Sequence, residues 1–475
     1  MNREAAPRPT LGRSLLRLED PSLLTGRGEF VGDIGFPHQL HMHVVRSPYA
    51  HAVLLRVDVA AARAAQGVAA VWTAADIAGL PPIDFRDPAA EALRPYRQPM
   101  LARDCLRYVG EPVAVVFATD PYLAEDAAEL VSIEADEVMP ILDASAPPGS
   151  FAPSLSTEAL VLRAGYGDVE AAFASAHAVV TLDLTIGRHS GVPLETRGAL
   201  ARLDASRDVL ELYGAAKVPH RNRDALSRMF GRSSTAVVLK EGSIGGGFGI
   251  RGELYPEDFL ACVAAMRLGR PVKWIEDRRE HLMAANHSRE QRHHARVAVD
   301  AEAHILALED EFYLDQGAYV RTHAARVADM TIAMVPGPYR IPAYRSVCHF
   351  RLTNKTPAAT YRAPGRFEGT FVRERLLDAV ADRLGLDRVT VRRRNLIPAS
   401  EMPFSRPLKA LGTEIVYDSG DYPLLLDKAL ARIGWDSLQG ELRRRTITRS
   451  RPSRSATAST SRSRTKVPSN RPGAR

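Results

Sequence analysis

The sequence predicts an α+β protein of two folded domains followed by a basic, disordered tail. Three observations carry this. Short apolar stretches of strand period alternate with capped helices from Leu11 to about residue 440. A Pro-, Ser- and Ala-rich stretch at 144–159 has the composition of a linker and sets a domain boundary near 150. Beyond residue 440 large apolar side chains almost vanish, so no core can form there. The expected domains are therefore 1–148 and 155–440, with the tail at 441–475.

In the first domain, turns at TGRGEF, VGDIGFP and RSPYAHA each lead into a short strand: HMHVVRS, AVLLRVDV and GVAAVWT, with AAARAAQG as a short helix between the last two. YVGEPVAVVFATD reads as an apolar strand. DPYLAEDAAELVSIEADE reads as a helix with Pro121 near its start, followed by another strand.

In the second domain, AHAVVTLDLTIGRHSGVPLETRGALARLD reads as two strands around a loop. VLELYGAAKVPHRNRDALSRMFG reads as strand, loop and helix, the helix closed by Gly231. His220, ahead of that helix, is a capping or packing residue or else a ligand. HARVAVDAEAHILALEDEFYLDQGAYV has the period of a long antiparallel hairpin. The loop AATYRAPGRFEGT precedes the helix FVRERLLDAVADRLG; Arg362 and Arg366 either grip an anion or solvate the turn.

The organising stretch is AVVLKEGSIGGGFGIRGELYPED, residues 236–258, where an apolar strand breaks into glycines and a helix begins beyond them. Gly245, Gly246, Gly247 and Gly249 leave a row of backbone amides open to a flat or anionic group, or simply make a turn. Phe248 is the one large side chain among them. Gly247, Gly249 and Gly252 also fit GxGxxG, and Glu276 with Asp277 ends the next strand, which raises a nicotinamide-dependent dehydrogenase as an alternative. Pro256 opposes it: the dinucleotide fingerprint starts its helix within the glycines, and Pro256 suits the first helical position instead, with Glu257 and Asp258 in the first turn.

Composition narrows the class. The chain is 45% hydrophobic and 25% charged, as expected of a globular protein, and has no long apolar run, so no transmembrane segment and a cytoplasmic location are expected. The net charge of +7 suggests nucleic-acid binding, but residues 441–475 hold 11 Lys or Arg against one Glu, and the rest sums to about −3. Nucleic-acid binding is thus an alternative confined to the tail, and no nucleic acid is expected as partner of the folded body. Cys105, Cys262 and Cys348 are isolated, which suggests buried, reduced thiols and too few ligands for an iron–sulfur cluster. His281, His287, His293 and His294 match no usual zinc spacing, so they are expected in a polar, partly exposed segment, with no metal site among side chains.

Taken together, TGRGEFVGDI, RSPYAHA, YVGEPVAVV, ETRGALA, KVPHRNR, GGGFG followed by YPED, DRREHLMAANHSRE, DQGAY and YRAPGR resemble, in order, the large, molybdopterin-binding subunit of the molybdenum hydroxylases: the xanthine dehydrogenase, aldehyde oxidase and aerobic carbon monoxide dehydrogenase type. The resemblance spans residues 11–440. It implies a hammerhead α/β domain first, then the first part of a molybdopterin-binding domain. It implies an oxidoreductase that hydroxylates an aldehyde or N-heteroaromatic carbon with water. It implies molybdenum-molybdopterin as the cofactor, in the cytosine dinucleotide form that bacterial members usually carry. Electrons pass to a small iron–sulfur subunit carrying 2Fe-2S clusters and a medium subunit binding FAD.

Residue by residue, the resemblance puts Gly245, Gly246, Gly247, Phe248 and Gly249 against the cofactor, with Arg362 facing it from the other side and Lys217 where relatives often have Gln before VPH. Glu253, Ala363 and Pro364 fall in the substrate pocket. Copper-containing relatives have Cys after the arginine of the third loop; Ala363 has no ligand atom, which argues against carbon monoxide as substrate. The family's general-base glutamate belongs to a later domain, so no catalytic residue is assigned in this stretch, and the expectation is an incomplete chain, inactive alone.

Overall fold

A computed structural model describes residues 10–83, 85, 91–214, 218–323 and 325–448. The described residues form two compact units, one running to Leu396 and adding Pro403–Asp418, the other comprising Ile397–Met402 and the residues from Ser419 onward.

The first unit contains two large sheets. In the seven-stranded sheet the order is Val237–Lys240, Val209–Tyr213, Gly198–Asp204, Val272–Ile275, Leu40–Arg46, Pro112–Ala118 and Val68–Thr73. Strands from both expected domains meet where Leu40–Arg46 pairs in parallel with Val272–Ile275, Leu40 opposite Val272. Pro112–Ala118 is buried along its whole length, which explains its unbroken apolar text. Helix Pro256–Leu268 packs on this sheet. Its residues 256–265 are buried on every side, and Phe259, Leu260 and Val263 share a core with Leu40, Met42, Val44, Val115 and Phe117.

The five-stranded sheet runs Ala178–Ile186, Gln291–Val299, Ile305–Asp315, Ala343–Arg351 and Glu158–Tyr166. Its second and third strands are the predicted hairpin. Helix Arg366–Leu384 covers it, burying Val372, Leu376, Leu377 and Val380. This helix starts at Arg366, capped by Gly365, so Arg366 belongs to its first turn and not to the loop.

Two expectations are corrected. Residues 144–159 are not simply a linker: Ser150–Ala152 pairs with Leu155–Ser156, and Glu158 already opens a strand. Phe151 is buried, and the Tyr96 hydroxyl donates to the Ser156 carbonyl at 3.0 Å, which anchors the stretch. The disordered tail does not start at 441, because helix Trp435–Thr448 continues through that point. Its ELRRR text is good helix former, and Glu441 pairs with Arg445 one turn on. The remainder of the predicted tail lies outside the described residues.

Candidate cofactor site

After strand Val237–Lys240 the chain leaves regular structure, makes a short 3₁₀ turn at Ile250–Gly252 and enters the helix at Pro256. Pro256 stands in the first turn with Glu257 and Asp258, so the helix does not begin among the glycines as a dinucleotide fingerprint requires. Glu276, the acid that reading would place on a ribose, is buried against Arg197, and Asp277 caps helix Arg278–Ala284. The nicotinamide alternative therefore lacks both its helix terminus and its free acid.

The glycines are not equivalent. Gly246 and Gly249 have φ of +100° and +108°, and a Cβ on Gly249 would stand 2.8 Å from the Thr360 carbonyl oxygen. Gly245 lies against Glu195, whose carboxylate accepts its N–H at 2.6 Å. Gly247 has no left-handed φ, and a Cβ there would find only Arg251 Cβ, 3.9 Å away. Nothing described in the chain forbids a side chain there. Phe248 is itself left-handed (φ 51°) and 39% exposed.

Other loops close around this one. Glu195, from the ETRGALA turn, also pairs with Arg251. Two positions on, Arg197 binds Glu276 through Nε at 2.9 Å and Glu257 at 3.3 Å, with its guanidinium 3.9 Å over the Tyr255 ring. Glu257 also meets Arg46 at 2.7 Å, and Arg46 meets Glu280 at 2.8 Å. Glu276 faces His281 at 2.8 Å, and His281 Nε2 donates to the Gly191 carbonyl. Burial would raise the Glu276 carboxyl, but Arg197 and the hydrogen bonds from His281 and Arg197 outweigh it and hold it at about 2. RSPYAHA, ETRGALA, YPED and DRREH are thus joined by one buried charge network at the base of the glycine loop.

The YRAPGR loop docks from the other side. The Arg362 N–H donates to the Phe248 carbonyl at 2.6 Å, and the exposed Arg362 guanidinium lies 5.1 Å from the Phe248 ring centre. Ala363, φ 58°, is exposed, and Pro364 is half-buried. The short strand His287–Ser288 runs alongside: the His287 N–H donates to the Pro357 carbonyl and the Ala359 N–H to that of His287. Of the nine non-glycine residues with positive φ among the described residues, Val218, Phe248, Arg289 and Ala363 lie on the loops matching the cofactor and neighbouring motifs. Such a concentration of strained backbone is typical of ligand clamps.

The resemblance puts Glu253 in the substrate pocket. Its carboxylate is fully buried, accepts from the Thr360 N–H and the Thr322 hydroxyl at 3.2 Å each, and pairs with His323. It braces the glycine loop against the third loop and does not line open space. Lys217 lies outside the described residues. His220 is exposed at the second residue of helix Pro219–Phe230.

The histidine segment is less exposed than its composition implies: His281 and His293 are buried, the latter between Asp310 and Gln291. Among the described residues one group of side chains could converge on a metal, Asp300, Glu302 and His304, and there Asp300 accepts from the Glu302 and His304 N–H groups of its own hairpin turn. Cys262 and Cys348 are buried and Cys105 only partly so. Sequence reasoning missed Arg197, Tyr255 and Arg289 as site-building residues; all lie within the motifs quoted above, but partners 58 to 79 residues away gave no local signal. No described helix is long and apolar enough to cross a membrane.

Comparison with known proteins adds the following. Residues 153–396 match the molybdopterin cofactor-binding domain family, and residues 25–138 the aldehyde oxidase and xanthine dehydrogenase a/b hammerhead domain. The chain is 41% identical over 427 residues to the 6-hydroxypseudooxynicotine dehydrogenase complex subunit gamma of Paenarthrobacter nicotinovorans, covering 88% of this chain and 54% of that protein. It is 31% identical to the carbon monoxide dehydrogenase large chain of Hydrogenophaga pseudoflava, covering 89% and 54%. The quinoline 2-oxidoreductase structure from Pseudomonas putida 86 superimposes with a TM-score of 0.85 at 33% identity, covering 91% of this chain and 56% of that one. The chain thus spans about half the length of the curated relatives it matches.

Proposed function

Since the chain belongs to the large-subunit family of the molybdenum hydroxylases, we propose that it forms the hammerhead and first cofactor-binding portion of an enzyme hydroxylating an N-heteroaromatic compound. The carrying observation is Gly247: beside the half-exposed Phe248 the chain's own packing brings only Arg251 Cβ, at 3.9 Å, near its Cβ position, so a flat group can approach the backbone there. The residues present fit such a group. The amides of Gly246, Gly247, Phe248 and Gly249 and the guanidinium of Arg362 would hold it, while Gly245, whose N–H is taken by Glu195, would shape the turn; Lys217 is assigned by motif match alone. When bound, molybdenum-molybdopterin supplies the oxidative hydroxylation, with water as oxygen source.

The residues of this chain bind and orient. The buried charge network fixes the base of the glycine loop, and Glu253 braces it against the Arg362 loop. Electron transfer is assigned to partners carrying FAD and 2Fe-2S clusters, because the sequence has three cysteines and a cluster needs about four thiolates. The cytosine dinucleotide form of the pterin is part of the same proposal. An N-heteroaromatic substrate is preferred to carbon monoxide because Ala363 offers copper no ligand atom, and because the relatives named above at 41% and 33% identity are named for pseudooxynicotine and quinoline.

The test is metal analysis of the subunit purified with its natural partners, wild type against Gly247→Val. Stoichiometric molybdenum in the wild type and its loss from a folded variant are expected. A molybdenum-free wild type, or unchanged metal in the variant, overturns the reading.

A further inference from the structure

We propose that Arg289 is a positioning residue that clamps the Arg362 loop onto the glycine loop, anchored by Glu368. The proposal rests on the cofactor reading above, which gives that loop its task. Arg289 sits just ahead of strand Gln291–Val299, held in the left-handed region at φ 76°. Its buried guanidinium donates to the Arg362 carbonyl and, at 3.4 Å, to that of Ala363. It also meets the Glu368 carboxylate at 3.1 Å and lies 4.7 Å from the Tyr361 ring centre and 4.3 Å from that of Phe367. Every one of these partners belongs to residues 361–368, so one side chain ties a sheet strand to both ends of the loop.

That loop needs such a tie. Ala363 is left-handed at φ 58°, a conformation that persists only where its surroundings enforce it. What the loop presents depends on it: the Arg362 N–H reaches the Phe248 carbonyl, and the Arg362 guanidinium lies beside the Phe248 ring. A planar guanidinium can serve two carbonyls, a carboxylate and two aromatic faces at once; an ammonium cannot. Glu368 is fully buried, and its second oxygen has no hydrogen-bond partner among the described residues, so Arg289 also supplies the charge that keeps this carboxylate inside. Arg289 thus acts through Arg362 and Ala363.

Hydrogen exchange on the full chain tests this at the Arg362 amide, with the amides of strand Gln291–Val299 as reference. Arg289→Lys keeps the charge but loses the fork. The double variant Arg289→Gln with Glu368→Gln leaves no lone buried charge, so it guards against misfolding. Both should speed Arg362 exchange by about tenfold or more, the factor that one lost charge-assisted hydrogen bond supports, with the reference strand unchanged. Unchanged Arg362 protection in a folded variant, or equal loss across the reference strand in both, overturns the clamp. Molybdenum in the wild-type complex is measured in parallel. Its absence sinks the cofactor reading while leaving the clamp result standing.

Discussion

A Cβ at Gly249 and a Cβ at Gly247 meet opposite surroundings, and the contrast is measurable. Gly249→Ala must place a side chain at φ +108° against the Thr360 carbonyl, which should lower stability by about 1–3 kcal/mol in urea unfolding. Gly247→Ala meets neither obstacle and should stay within about 0.5 kcal/mol of wild type. Asp258 offers a second test. Burial pushes its carboxyl up to about 7, although it accepts the Tyr255 N–H at 3.0 Å. A carboxyl raised in the folded state stabilises below its unfolded pKa, and that contribution is lost as pH rises through the folded value. Between about pH 4 and pH 7, wild type should therefore lose stability relative to Asp258→Asn, by at most about 1.4 kcal/mol per pH unit. Urea midpoints of the pair at pH 5 and pH 8 check this. The comparison with the variant is essential because burial lowers His287 to about 4, and that group shifts stability in the opposite sense over much of the same range.

Helix Pro256–Leu268 is the element that aims the glycine loop, and its start is held by charges from two other segments, Arg46 and Arg197. Arg197 compensates both Glu257 and Glu276 while lying over the Tyr255 ring. Arg197→Met fits the space but strands buried carboxylates, so a loss of about 3–5 kcal/mol is expected in denaturant unfolding. The start of the helix was legible: Pro256 and the acidic first turn both stand in the text. Its partners were not, because an ion pair between residues 60 apart leaves no periodic trace. The packing of Glu253 was hidden for the same reason: its carboxylate is held by Thr322, His323 and Thr360.

At the scale of the whole molecule, the seven-stranded sheet draws strands from either side of the expected boundary near 150. Leu40, Met42 and Val44 share one buried core with Phe259, Leu260 and Val263 of the later helix. A fragment of residues 1–148 would lose those later members of the core, so it should be isolated as aggregate or as a species with fast amide exchange at 40–46. Monomeric fragment with native-like protection there would show that the first domain closes its own core.

Local chemistry explains how much the sequence determined by itself. Strand period, proline at helix starts and glycine at turns act within a few residues, so the hairpin at 291–315, the helices from Pro121 and Pro256 and the glycine loop could be read directly, and the order of the motifs pointed to the family. Only the tertiary structure decided which glycine the chain can spare, which carboxylates are sealed into ion pairs, and that Arg289 holds the loop bearing Arg362. Burial and pairing between distant segments set those outcomes, and a carboxylate or guanidinium is written the same way in the sequence whether it faces water or a buried partner.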